Sequence, residues 1–221
     1  MIKVEFEGTD GAGKTTGLKY FIEQAQKRGL AVVETREVGN PHIPVCVKLR
    51  ELVLDPNSGL TGAAMELIFS AMRIENDVWL QNLQNSDNAP DLVVSDRGWY
   101  SHLAYTDHNV TKDFTDLLYT GVMEQITAMP DVVVYFDVNT DTALKRRVKR
   151  GTSMDVIEMK GVEYQELVRE SFKERMATPL EAGTTPDIFV VDANATIEEV
   201  REQLDDVLET LLARTGIKKA L

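Results

Sequence analysis

An α/β fold is what this sequence predicts: five mostly parallel strands in a doubly wound sheet, with helices on both faces. Three observations lead there. Short apolar runs alternate along the chain with segments whose apolar residues recur at helical spacing. The first run passes at once into a glycine-rich turn that opens a helix. The apolar runs then end on acids or arginines, as strands do when their carboxyl ends face a ligand site.

The elements follow in order. Ile2 to Glu7 alternates as a short strand, and Thr16 to Arg28 carries Leu18, Phe21, Ile22 and Ala25 at helical spacing. Ala31 to Arg36 is the second strand. Pro41 and Pro44 break the chain before a helix from about Val45 to Leu54. Pro56 to Gly59 is a turn, and Thr61 caps a long helix reaching about Gln84. After a polar loop, Leu92 to Ser95 is an apolar run of the kind buried on both faces of a parallel sheet, ending at Asp96-Arg97-Gly98. Helices are expected from about Tyr100 to Thr106 and from Thr111 to Met129. Val132 to Val138 is the fourth strand, and Asn139 or Thr140 caps a helix rich in Lys and Arg. Gly151 to Gly161 reads as a polar, mobile stretch, followed by a helix from about Val162 to Met176. Ile188 to Val191 is the fifth strand, and Thr196 with Glu199 forms a capping box for the last helix. One domain over residues 1–221 accommodates all of this, with a short lid at roughly residues 145–161.

Composition narrows the partners. The net charge is −12, which argues against non-specific binding to nucleic acid or an anionic membrane. Cys46 is the single cysteine, so no internal disulfide forms, and its apolar neighbours suggest a packed thiol. The chain shows no signal peptide and no apolar run long enough to span a bilayer, so a cytoplasmic protein is expected.

The glycine turn has chemistry of its own. Gly8-Thr9-Asp10-Gly11-Ala12-Gly13-Lys14-Thr15 fits the phosphate-binding P-loop, and Thr16 continues it into the helix. Its glycines let backbone N–H groups turn inward around phosphate oxygens, and the helix start adds partial positive charge. Lys14 can reach the outer phosphates of a nucleoside triphosphate, and the Thr15 hydroxyl can hold magnesium. Asp96, at the third strand end, is expected to be the second magnesium acid, directly or through water, the alternative being a helix cap or a partner for Arg97. Arg36 and Arg97 leave neighbouring strand ends, where two guanidinium groups can fork onto a second, acceptor phosphate or else form surface salt bridges. Lys145 to Arg150 is a dense basic run in an acidic chain: a solvated face, or a lid that closes with Arg146 and Arg150 on one helical side. Arg147 points about 100° away from Arg146 and reads as solvated. Phe69 and Arg73 stand one turn apart, either as core and solvent residues or as an aromatic platform beside a hydrogen-bonding fork for a base. Ser101, Tyr105 and Thr106 follow the third strand and are open in the same way.

In this ordered combination the chain resembles the thymidylate kinase family of P-loop nucleoside monophosphate kinases. The likeness runs along nearly the whole chain. It rests on the P-loop with Asp10, on Thr35-Arg36-Glu37, Phe69 and Arg73, Asp96-Arg97, Ser101 and Ala104-Tyr105, and on the arginine-rich run before Asp155. The resemblance implies a P-loop kinase fold, transfer of the ATP γ-phosphoryl group to dTMP with Mg2+, and a homodimer. It further implies that Asp10 contacts the sugar 3′-hydroxyl and that Arg36 and Arg97 hold the acceptor phosphate. Phe69 would stack on the base, Arg73 bond its carbonyl, and Tyr105 lie against the deoxyribose 2′ position. Gly11 stands where some members carry a catalytic arginine, so the chain is similar to the bacterial type, in which the lid supplies the arginines.

Four positions depart from the family pattern. Val38 and Asn40 replace the proline and the second glycine after Glu37, Thr106 stands where glutamine is common, and Val156 where an arginine is common. They bear on the loop holding Arg36, on base choice and on the lid's arginine set. Other activities share parts of this pattern: a kinase for another deoxynucleoside monophosphate, a deoxynucleoside kinase with Glu37 as its acid, or a nucleotide-dependent switch. The switch leaves the strand-end arginines unexplained, and no Asn-Lys-x-Asp guanine reader is present.

Overall fold

The structure is a computed structural model that describes residues 1–106, 108, 110–150, 160–177 and 185–215, without the side chains of Arg150 and Thr215. Five strands form one sheet in the order β2-β3-β1-β4-β5: β1 Ile2–Glu7, β2 Val32–Arg36, β3 Leu92–Asp96, β4 Val132–Asp137 and β5 Asp187–Asp192. All four pairings are parallel, with Phe6 opposite both Asp96 and Val134. Parallel neighbours need crossovers, which the helices supply. They are α1 Lys14–Lys27, α2 Pro44–Leu54, α3 Gly62–Gln84, α4 Trp99–Thr106, α5 Lys112–Met123, α6 Thr140–Arg150, α7 Gly161–Ala177 and α8 Ile197–Thr215.

Alternation along each strand splits the core. Val4, Phe6, Val94, Val134 and Phe136 face α1 and α8, meeting Leu18, Phe21, Leu204 and Leu208. Val133 and Tyr135 face the other way, onto Trp99, Leu103, Val168 and Phe172. A third cluster joins α2 to α3 through Cys46, Val53, Met65, Phe69 and Met72, and there Cys46 is the packed thiol expected.

Side-chain caps mark the starts of α3, α6 and α8. Thr61 Oγ1 accepts from Ala64 N at 3.3 Å, and Asn139 Oδ1 accepts from Thr142 N at 2.7 Å, so Asn139 and not Thr140 is the cap. Thr196 and Glu199 exchange both bonds of the capping box, at 3.3 and 2.8 Å. The fifth helix is shorter than its apolar pattern suggests. It stops at Met123, because Asp77 Oδ1 on α3 takes the backbone N–H groups of Thr127 and Ala128 at 2.9 and 2.6 Å. The polar stretch predicted at residues 151–161, with Asp155 and Val156, lies outside the described residues except for Lys160 and Gly161.

Candidate active site

The glycine loop runs from β1 into α1. Lys14 is buried, and its Nζ donates to the Gly8 and Thr9 carbonyls at 2.9 and 2.8 Å. Burial, and Arg97 nearby, push its pKa down to about 8. Thr15 Oγ1 donates to Asp96 Oδ2 at 2.7 Å, so the two residues singled out for a metal do meet. Any side chain at Gly11 would strike α6: a Cβ there would lie 2.4 Å from the Ala143 carbonyl oxygen, at φ +89°. The helix that carries the basic run therefore packs directly on the loop. Arg146 Nη1 reaches the Ala12 carbonyl at 3.3 Å. Arg147 is half-buried rather than solvated, and its Nε has no hydrogen-bond partner among the described residues.

Arg97 links the loop to a cleft. It sits at φ 70°, uncommon for a residue with a side chain, and its N–H is fixed on Phe6 O at 2.9 Å. Nη1 donates to Gly8 O and Ser101 Oγ at 3.1 and 3.0 Å, while Nη2 pairs with Asp10 and lies 3.2 Å from the Tyr105 hydroxyl. Tyr105 OH in turn donates to Asp10 Oδ2 at 3.1 Å. Burial opposes the Asp10 charge, but Arg97 and Lys14 beside it hold its pKa below the ordinary value.

The cleft beyond opens to solvent, and its wall holds Asp10, Arg97, Ser101 and Tyr105 together with Phe69, Arg73 and Glu66. Thr106 Oγ1 stands 2.7 Å from Glu66 Oε2. Arg50 and His102 also line it, whereas Arg36 does not: Arg36 is exposed, with Nε on Gly39 O at 3.0 Å. Burial, and Arg73, push His102 well below its usual value, so its ring is neutral at pH 7.

Arg73 is anchored from behind. Nη1 pairs with Glu37 Oε2 at 2.5 Å, Nη2 donates to Gly98 O at 2.8 Å, and Cζ lies 4.7 Å from the Trp99 ring centre. Glu37 Oε1 accepts from Asn76 at 2.7 Å and faces Lys3 at 3.3 Å. Burial opposes this carboxylate too, yet Arg73 and Lys3 keep its pKa below the ordinary value. Glu5 completes the row: it pairs with Lys3 at 2.9 Å and accepts from Trp99 N at 2.9 Å. Gly98 has to be glycine, since a Cβ there would fall 1.9 Å from the Glu5 carboxyl carbon. Arg73→Ala should thus leave the buried Glu37 with Lys3 and Asn76 but without its Arg73 ion pair and cost about 3 kcal/mol of stability, with Glu37→Gln in the same chain recovering part of it. Urea unfolding of the single and double variants measures this; equal midpoints for wild type and Arg73→Ala would remove the network from the account.

Sequence reasoning missed Arg50, Glu5, Glu7 and Asn76. The Lys3-x-Glu5-x-Glu7 alternation hinted at Glu5 and Glu7, since period 2 puts them on one strand face with Lys3, while no local signal pointed to Arg50 or Asn76.

A glycine loop that holds a lysine and a threonine at β1, beside an arginine-walled cleft at the carboxyl end of a parallel sheet, defines a P-loop nucleotide kinase. The family model described as thymidylate kinase matches residues 6–204. The chain belongs to the thymidylate kinase family. A thymidylate kinase of Bacillus pumilus is 27% identical over 97% of this chain and 98% of its own length. One from Ectopseudomonas mendocina is 30% identical over 95% of each chain, and one from Enterococcus faecalis 32% identical over 77% of this chain and 80% of its own.

Proposed function

We propose that the cleft holds dTMP, that the P-loop holds ATP, and that the chain transfers the γ-phosphoryl group to give dTDP and ADP. One observation supports this above the others: Arg97 touches the P-loop at Gly8 and lines the cleft, so a single guanidinium stands between a donor and an acceptor phosphate. Arg97 clamps the acceptor phosphate, Arg50 approaches it from α2, Arg36 joins them only by leaving Gly39 O and turning inward, and Asp10 orients the sugar. Phe69 and Arg73 receive the base, and Tyr105 and Thr106 close the wall behind it. Lys14 and the lid arginines Arg146 and Arg150 meet the charge on the transferring group.

Thr15 and Asp96 fit Mg2+. They offer two hard oxygen ligands held together, and Mg2+ takes few protein ligands, completing its shell with phosphates and water. When bound, the ion neutralises charge on the phosphate oxygens.

Residues 1–221 act as one kinase domain, in the cytoplasm, without nucleic acid or membrane. No helix among the described residues is long and apolar enough to cross a bilayer. The working form is a homodimer. Leu67 and Val78 are 53% and 49% exposed and share a stripe of α3 with Ala71, beside exposed Val45 and Leu52 on α2. Light scattering of the purified chain tests it.

A coupled ADP-release assay over nucleosides and monophosphates tests the reaction. dTMP should turn over and thymidine should not, because without a phosphate the clamp has nothing to align. A preference for thymidine would overturn the proposal. Equal rates on dTMP, dAMP and dGMP would widen it to deoxynucleoside monophosphates in general.

A further inference from the structure

We propose that Glu7 is a positioning residue for the Arg97 clamp: it takes the hydroxyl proton of Ser101 and so leaves the Ser101 oxygen to accept from Arg97. This rests on Arg97 holding the acceptor phosphate.

Glu7 ends β1, is fully buried and does not line the cleft. Its Oε1 accepts from Ser101 N at 3.0 Å, and its Oε2 accepts from Ser101 Oγ. The same Oγ lies 3.0 Å from Arg97 Nη1. A serine hydroxyl has one proton, a carboxylate only accepts, and a guanidinium only donates. With Glu7 ionised, one arrangement satisfies all three groups: the proton goes to Glu7, and a lone pair faces Arg97. Gly8 O holds Nη1 from a second side, and Asp10 holds Nη2, so the plane of the guanidinium is set before substrate arrives.

The relay depends on charge. Around Glu7 stand Glu5 on its own strand, Lys14 on α1, Arg97 between β3 and α4, and Tyr100 at the start of α4. Burial and the neighbouring Glu5 push the Glu7 carboxyl up to about 7. Below that pH the carboxyl is itself a donor. The Ser101 proton then has no anionic acceptor, its oxygen is shared between the Glu7 and Arg97 donors, and the clamp is held less firmly.

The test compares wild type with Glu7→Gln and Ser101→Ala. Each variant should lose about tenfold in kcat/KM for dTMP, the scale of one charge-assisted hydrogen bond, while KM for ATP stays unchanged. The pH profile is the sharper readout, because kcat/KM reports ionisations of free enzyme and free substrate. In wild type kcat/KM should fall with decreasing pH on two ionisations: the acceptor phosphate near pH 6 and Glu7 near about 7. Both variants should keep only the phosphate limb. Ser101→Ala leaves the Glu7 charge in place, so a Glu7 that served only the fold, or only the local field, would keep its limb there. A second limb surviving in Ser101→Ala overturns the proposal, as does a wild-type kcat/KM in Glu7→Gln. Should Glu7→Gln not fold, Ser101→Ala decides alone. If wild type ignores dTMP but uses another monophosphate, the proposed reaction fails, and the same comparison on that monophosphate still tests Glu7.

Discussion

Lys14→Ala is expected to lower kcat by about a hundredfold to a thousandfold, the loss seen when one preorganised donor to developing charge is removed. Lys14 is the only cationic side chain within the loop, and its Nζ rests on Gly8 O and Thr9 O at 2.9 and 2.8 Å. Bound phosphates compete for that ammonium with two neutral carbonyls, and a charged acceptor wins. The fold should survive, since the side chain bonds only to its own loop. Near-normal turnover with circular dichroism unchanged would show that the loop does not hold the donor. A pH dependence follows from the same environment. The Lys14 pKa lies at about 8 in the free protein, so the ammonium is lost as pH rises through that value. kcat/KM for ATP should fall above about 8. The limb in kcat should lie higher, because bound phosphates favour the charged form.

Arg146→Ala is expected to cost about a thousandfold in kcat with little change in dTMP affinity, as for an arginine supplied to phosphoryl transfer. The packing of the loop favours an arginine from α6 over one from the loop itself. A side chain at Gly11 would collide with the Ala143 backbone at 2.4 Å, so the loop cannot carry its own arginine while α6 lies against it. The same packing brings Arg146 Nη1 to Ala12 O at 3.3 Å. Arg150 shares its helical face by spacing, and its side chain lies outside the described residues. Arg147 is a poor control, because it is half-buried; exposed Lys149 serves, and Lys149→Ala should leave single-turnover rates within about twofold of wild type. Equal losses in Arg146→Ala and Lys149→Ala would reduce the run to a solvated face.

Much of the fold was legible in the chain. Strand, glycine loop and helix at residues 2–28 follow from local pattern, and the Thr61 cap and the Thr196–Glu199 box mark helix starts through bonds between residues three apart. The sequence determined these because each is a short-range matter of period, cap and backbone freedom. The Thr15–Asp96 contact was reachable by rule, since parallel strands put both residues at the carboxyl end of the sheet. The environment of β1 was not reachable. Its Lys3-Val4-Glu5-Phe6-Glu7 alternation has the pattern of a strand with one wet face, yet the sheet order places β1 centrally and α4 covers the charged side. Lys3, Glu5 and Glu7 are 6%, 0% and 0% exposed. Period tells which residues share a face, not what covers it, and that cover comes from residues about ninety positions away. The clamp shows the same limit. The strand-end rule selects Arg36, whereas the cleft wall holds Arg50, because α2 folds back so that Arg50 Nη1 meets the Val38 carbonyl at 2.6 Å. How a helix lies across a loop is settled by packing between distant segments, and only the tertiary structure decides which arginine faces the substrate.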